Sequence, residues 1–321
     1  MVRLLAPFAR VLPCDLCGGQ RFDLVSERDR RGGELRTVIC HDCGLVAHAE
    51  VPTEDELTAY YQRQYRQDYH GEYVPSPHRV VREWNRGWSL LRLLSPYVTP
   101  ADRIIEIGCG IGCTVKQFEC AGLDACGIEP GEGFRRFAVE SLRARVVGGE
   151  LNSLAADPEY DVVLLVHVLE HLRSPTQTLS RIRRMLRAGG RLFVDVPNAG
   201  APHAAPGKMF HFAHIYNFTR DTLGMVARKT GFRVVRWLSA PGDKNLRVML
   251  ACDPDGQWQL QADSYGRVLR ALTGHTTASY HLRWRYLRDR VRTMIGHPCD
   301  HVMARRRVER ILRFCHSRQA A

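Results

Sequence analysis

The stretch Glu106-Ile107-Gly108-Cys109-Gly110-Ile111-Gly112 joins an apolar run, Arg103 to Ile107, to a helical pattern that opens near Gly112. Glycines at alternate positions let a strand-to-helix turn approach a ligand closely and aim backbone amides at it, as nucleoside-binding units do. A dinucleotide fingerprint wants its third glycine three positions after the second, where this chain has Cys113; here it comes two positions after, at Gly112. Hydride chemistry loses its main support by that one-residue difference. Glu129 closes the next apolar run, nineteen positions past Gly110, and a carboxylate there suits the two hydroxyls of a ribose.

Outward from this turn the chain alternates apolar and amphipathic runs. Strands are predicted at 103–107, 125–129, 145–147, 161–166, 191–196, 233–238 and 247–251, with helices opening near Gly112, Gly131, Pro175 and Thr219. Alternation of this kind is the pattern of a parallel, doubly wound α/β sheet. The fold class expected is therefore α/β: a seven-stranded, Rossmann-like sheet with a small N-terminal zinc ribbon, a helical lid and a C-terminal helical tail. The boundaries expected are 1–50 for the metal module, 51–99 for the lid, 100–252 for the nucleoside-binding domain and 253–321 for the tail. Thr53 with Glu56 makes a capping box at the lid's start, and Tyr60, Tyr61, Tyr65, Tyr69 and Tyr73 recur along it.

Cys14-x2-Cys17 and Cys40-x2-Cys43 are two thiolate pairs separated by 22 residues. Four thiolates complete a tetrahedral shell, so the ion expected is structural Zn²⁺ with no open position. Gly18, Gly19 and Gly44 follow the pairs, where knuckle amides need room to approach the sulfurs. Cys109, Cys113, Cys120 and Cys126 are expected to act as small apolar residues. Eleven cysteines in this distribution do not resemble a disulfide framework. With no run of roughly 18 apolar residues and no secretory-type start, the expectation is a soluble cytoplasmic protein without a transmembrane segment.

The 321 residues carry a formal charge of +12, with 46 basic residues of which all but Lys116, Lys208, Lys229 and Lys244 are arginine. Such a balance fits an anionic or carrier-linked acceptor, a nucleic acid or a membrane surface as well as a solvated arginine rim. The tail is arginine-dense from Arg267 to Arg318. It is expected to pack as helices, to join copies into an oligomer or to serve as a docking patch, and its removal after Pro298 to leave cofactor affinity intact but lower turnover.

The runs EIGCGIG, GIEP, HVLEHL and VDVPN, from Glu106 to Asn198, resemble the motif series of class I S-adenosylmethionine-dependent methyltransferases, over about residues 100–251. The resemblance implies S-adenosylmethionine as cofactor, with Glu106, Gly108, Gly110 and Gly112 beside its methionine part and ribose, and Glu129 on the ribose. It further implies Glu150, Leu151 and Asn152 beside adenine, and Val166 and His167 facing the cofactor. The order of cysteine pairs, tyrosine-rich helices and core is similar to the sugar C-methyltransferases, which by analogy makes Tyr65 and Tyr69 cofactor neighbours. Those enzymes carry a further α/β domain and an active Tyr-Glu-His run, against which this chain has Phe212-Ala213-His214. O-methylation and C-methylation therefore both stay open.

The sulfonium methyl needs only an aligned acceptor and, for a hydroxyl, a base. His214, in the loop after the fifth strand, is the expected catalytic base, with His211 the weaker alternative. Glu170 and His171 are expected to brace the helix after the fourth strand. A small-molecule biosynthetic acceptor is favoured and a nucleic acid disfavoured, since HVLEH replaces the proline-rich, aromatic-ended motif of base amino-methylases. The alternative is a nucleic-acid-binding or RNA- or DNA-modifying protein using the ribbon and the arginine tail.

Overall fold

The structure is a computed structural model that describes residues 7–8, 12–63, 74–201, 204–205, 208–253, 255–274, 280–282, 288 and 303–317. Its strands, in chain order, are β1 (Pro7–Phe8), β2 (Phe22–Arg28), β3 (Glu34–Cys40), β4 (Val46–His48), β5 (Arg103–Ile107), β6 (Asp124–Glu129), β7 (Val146–Gly148), β8 (Tyr160–Val166), β9 (Leu186–Pro197), β10 (Tyr216–Asn217), β11 (Phe232–Trp237) and β12 (Asn245–Cys252). The helices are α1 (Glu54–Arg63), α2 (Pro77–Leu94), α3 (Cys113–Cys120), α4 (Glu132–Arg136), α5 (Pro175–Met185), α6 (Arg220–Lys229) and α7 (Ser264–Thr273). A further helix runs over 303–317.

The larger sheet has the order β11-β12-β9-β8-β5-β6-β7, the seven-stranded α/β sheet expected. β5 pairs in parallel with β6 and β8, whereas β12 is antiparallel to both β9 and β11. The central strands read as continuous apolar runs, Ile104-Ile105 and Val162 to Leu165, each residue no more than 1% exposed. That is the signature of strands covered on both faces. Each of the seven expected strands forms, the fifth longer than expected at its start. Helices open at or one residue after the positions expected, and Thr219 caps α6 in a reciprocal capping box with Thr222.

The chain divides into two compact units. One comprises 1–54, 167–184 and 191–287. Its small sheet has the order β1-β2-β3-β4-β10, and Ile39, Val46, Ala199, Phe210, Val268 and Leu272 form a core beneath it. The other comprises 55–166, 185–190 and 288–321. Its core gathers Val80, Cys109, Ile111, Cys113, Phe134, Ala138 and Val146, and Val308, Ile311 and Leu312 of the last helix pack against it. In that unit α2 lies close on α3: a Cβ on Gly87 would stand 3.1 Å from Thr114 Cα. Tyr65 and Tyr69 lie outside the described residues, as does most of the tail between 275 and 302. Among the described residues no helix is long and apolar enough to cross a membrane.

Candidate functional site

The turn after β5 takes the form its glycines predict. Gly108, Gly110 and Gly112 have φ of +68°, +59° and +71°, the left-handed region that costs a glycine little and other residues more. Gly112 opens α3, and a Cβ there would stand 2.8 Å from Ala138 Cβ. Gly108 and Cys109 donate their amides to the Ile128 carbonyl at 2.8 and 3.1 Å, anchoring the turn to the end of β6. Glu129 reaches back: one carboxylate oxygen accepts from Gly110 N at 2.9 Å and the other from Gly131 N at 3.0 Å. This acid therefore holds the turn's backbone, a role its residue type alone did not disclose.

Glu106 lies inside the strand before the turn and is 5% exposed. Its Oε2 has no hydrogen-bond partner among the described residues. Burial raises its carboxyl to about 8, Arg86 opposing and Glu83 adding to the rise. A buried carboxyl with an unused oxygen at a glycine turn suits a cationic ammonium, whose charge favours the carboxylate over the protonated form. The residues present thus fit the amino-acid part of S-adenosylmethionine. Glu150 precedes a 3₁₀ turn, Leu151–Ser153, and accepts from Thr58 Oγ of α1 at 2.9 Å, while its Oε1 is without a partner among the described residues. Leu151 is buried and Asn152 exposed. Val166 ends β8, 9% exposed.

In the other unit, His167 sits at φ +55°, a conformation unusual for a residue with a Cβ. Its amide donates to the Asp195 carbonyl at 2.8 Å. Asn245 Nδ2 lies 2.9 Å from His167 Nε2 and 2.8 Å from Asp195 Oδ1. The amide donates to both, so the His167 proton resides on Nδ1 and points at Glu170 Oε1, 3.3 Å away. Asp195, fully buried, also accepts from Arg247 Nε at 3.0 Å.

The HVLEHL run braces a loop, not a helix. Glu170 and His171 lie in a 3₁₀ turn, Leu169–His171, whereas the start of α5 is capped by Asp15, whose carboxylate accepts from Thr176 N at 3.0 Å and Ser174 Oγ at 2.5 Å. His171 Nδ1 donates to the Ala213 carbonyl at 2.7 Å. Ala213 N in turn donates to His211 Nδ1 at 3.0 Å, and His214 N to the His211 carbonyl at 2.9 Å. The rings of His171 and His214 meet edge to face with centroids 4.9 Å apart. Burial, with His171 adding, holds His214 well below its ordinary pKa; burial with Arg30 and Arg31 pushes His211 down to about 3. For Glu170, burial acts to raise the carboxyl, but His171, His167 and His214 overcome it and draw it down to about 2.

Asp15, Asp195 and Asn245 were not singled out by the sequence. Asp195 had a signal, an acid within the apolar run Leu192 to Val196. Asn245 had none, since it meets His167 only through the order of the strands.

The four cysteines of the N-terminal module converge. Cys14 and Cys43 sulfurs are 3.5 Å apart, as are those of Cys17 and Cys40. Tetrahedral Zn–S bonds of about 2.3 Å separate sulfurs by about 3.8 Å, so the spacing suits one such ion. Gly19 N and Leu45 N each point at a sulfur, of Cys17 and Cys43, at 3.4 Å, the amide contacts of a knuckle. The module rests on α7, where Ser264 Oγ donates to the Cys43 carbonyl at 2.9 Å and Tyr265 stacks on His41.

Residues 76–236, half of the chain, match the family described as methyltransferase domain. A tRNA U34 carboxymethyltransferase of Edwardsiella ictaluri is 26% identical over 199 residues, 58% of this chain and 58% of that protein. A ubiquinone biosynthesis O-methyltransferase of Aeromonas salmonicida is 32% identical over 103 residues, 30% of this chain and 43% of that protein. The chain thus spans about half the length of the curated relatives it matches. Among solved structures, magnesium protoporphyrin IX methyltransferase from Synechocystis aligns over 63% of this chain and all of that one, at 16% identity and a TM-score of 0.47. With the seven-stranded sheet and the family match over half its length, this chain belongs to the methyltransferase-domain family.

Proposed function

We propose that the protein transfers the sulfonium methyl of S-adenosylmethionine to a hydroxyl of a small biosynthetic intermediate, anionic or carrier-linked. The observation that supports this most is Glu106, a buried carboxyl with an unused oxygen at a turn of three left-handed glycines. When bound, the cofactor supplies an already activated methyl group. Glu106 and the turn 108–112 hold its amino-acid part, Glu129 meets the ribose, and Glu150, Leu151 and Asn152 border the base. His214, kept neutral by burial, takes the acceptor's proton; it lies in a loop after β9, and loops following strand ends carry ligand groups in open α/β sheets. Cys14, Cys17, Cys40 and Cys43 hold a structural Zn²⁺.

Calorimetric titration with S-adenosylmethionine and its demethylated product tests the reading. Wild-type protein is expected to bind both, and Glu106→Gln about tenfold to a hundredfold more weakly, the worth of a charge-assisted hydrogen bond. No binding by the wild type would overturn it.

A second reading is favoured by the tRNA-modifying relatives and by Arg305, Arg306, Arg307, Arg310 and Arg313, all exposed on the helix over 303–317. In it the acceptor is a nucleoside within RNA. Filter binding of tRNA with an affinity falling steeply between about 50 and 200 mM salt would support it.

A further inference from the structure

We propose that Glu170, His171 and His214 form a site for one divalent transition-metal ion whose open positions take the acceptor's hydroxyl oxygen. Each residue offers one ligand atom, and these atoms all lie within 4.8 Å of one another. Two imidazole nitrogens and a carboxylate oxygen are a borderline donor set that suits Mn²⁺, Co²⁺ or Zn²⁺ better than the all-oxygen preference of Mg²⁺ or Ca²⁺. Three protein ligands leave positions for substrate, unlike the four sulfurs of the N-terminal module.

The surroundings are those of a preorganised site. His171 donates its Nδ1 proton to the Ala213 carbonyl at 2.7 Å, which leaves the Nε2 lone pair turned to the side of Glu170, 3.7 Å away. A backbone carbonyl on the far nitrogen is the usual support of a metal-binding histidine. Glu170 is oriented in the same way: Oε1 receives the Nδ1 proton of His167, whose tautomer is set by Asn245 and, through it, Asp195. Its other oxygen, Oε2, is buried and has no partner among the described residues. A carboxylate 1% exposed thus keeps an unused oxygen in a residue whose ligand atom lies within 4.8 Å of one from each of two imidazoles. A cation would answer that oxygen.

Metal binding here does not depend on the methyl-transfer reading, but the chemistry that follows does. A hydroxyl drawn to the cation loses its proton to water more readily. In the loaded protein His214 serves as a ligand, and proton loss no longer runs through its ring.

Mn²⁺ titration of the full chain, treated with a weak chelator that leaves the four-thiolate ion in place and followed by electron paramagnetic resonance, tests the site, because thiolates compete poorly for Mn²⁺. The wild type is expected to bind one equivalent, with pulsed spectra showing coupling to imidazole nitrogen. His214→Ala and Glu170→Gln are expected to weaken binding by at least about tenfold. Absence of Mn²⁺ binding by the wild type, absence of nitrogen coupling, or unaltered binding in folded variants would each overturn the proposal. Titration of the same samples with S-adenosylhomocysteine separates the two readings: cofactor binding without Mn²⁺ refutes the metal site alone, and the reverse refutes methyl transfer alone.

Discussion

Glu106 couples the glycine turn to pH. Its carboxyl is raised from the ordinary 4.5 to about 8 by burial, so the folded protein keeps a proton that the unfolded chain releases. Its contribution to stability is fully present below about pH 4.5 and is lost progressively as pH rises to about 8. Thermal melts of ligand-free wild type and Glu106→Gln should therefore diverge across that window, the variant gaining in Tm relative to the wild type and the difference levelling off above it. Parallel curves would show that Glu106 ionises at its ordinary pKa. At Gly112 the backbone has φ +71° and the space for a Cβ is taken by Ala138. Gly112→Ala should cost about 2 kcal/mol in denaturant titrations, from strain and overpacking together.

At the scale of elements, two contacts join segments far apart in sequence. Asp15, between the first two cysteines, caps α5 through Thr176 and Ser174, while Lys229 at the end of α6 donates to the Asp15 and Leu16 carbonyls. Asp15→Ala should lower stability by about 1 kcal/mol, the worth of a helix cap, with a smaller loss for Asp15→Asn. The helix over 303–317 lays Val308, Ile311, Leu312 and the fully buried Cys315 on the core that contains Cys109, Ile111 and Cys113. This packing argues against the expectation that deleting everything after Pro298 would spare cofactor affinity. Removing this helix uncovers the apolar backing of the glycine turn, and calorimetry on the truncated protein should find cofactor binding weakened along with stability. Unchanged affinity would mean that the turn is rigid without it.

For the whole molecule, the cysteine module is built into a larger core. Gly44 approaches α7 so closely that a Cβ would stand 3.0 Å from the Ser264 carbonyl oxygen, and Tyr265 donates to Asp23 at 2.5 Å. Loss of a structural ion should therefore loosen α7 as well as β2 to β4. Amide exchange after treatment with a strong chelator, or in Cys40→Ser, is expected to rise at residues 264–273 in step with residues 34–48. A rise confined to 34–48 would mean that the module is energetically separate.

Much of this was legible in the sequence because it depends on neighbours in the chain. Strand positions follow from apolar runs, the turn from its glycines, the cysteine module from two C-x2-C pairs, and the opening of α6 from the pattern near Thr219; each is decided within a few residues by sterics and local hydrogen bonding. Other features exist only because strand order and loop packing bring distant residues together. Glu129 bonds to Gly110 across a parallel pair, Asn245 settles the tautomer of His167, and Glu170 and His171 meet His214 instead of bracing a helix. No periodicity encodes such meetings, since a hydrogen bond between residues dozens of positions apart is fixed by backbone placement and burial, and burial is what leaves Glu106 and Glu170 each with an unused oxygen. The sequence by itself determined the sheet, the glycine turn and the four-cysteine module; only the tertiary structure decided which acids and imidazoles stand close enough, and dry enough, to act together.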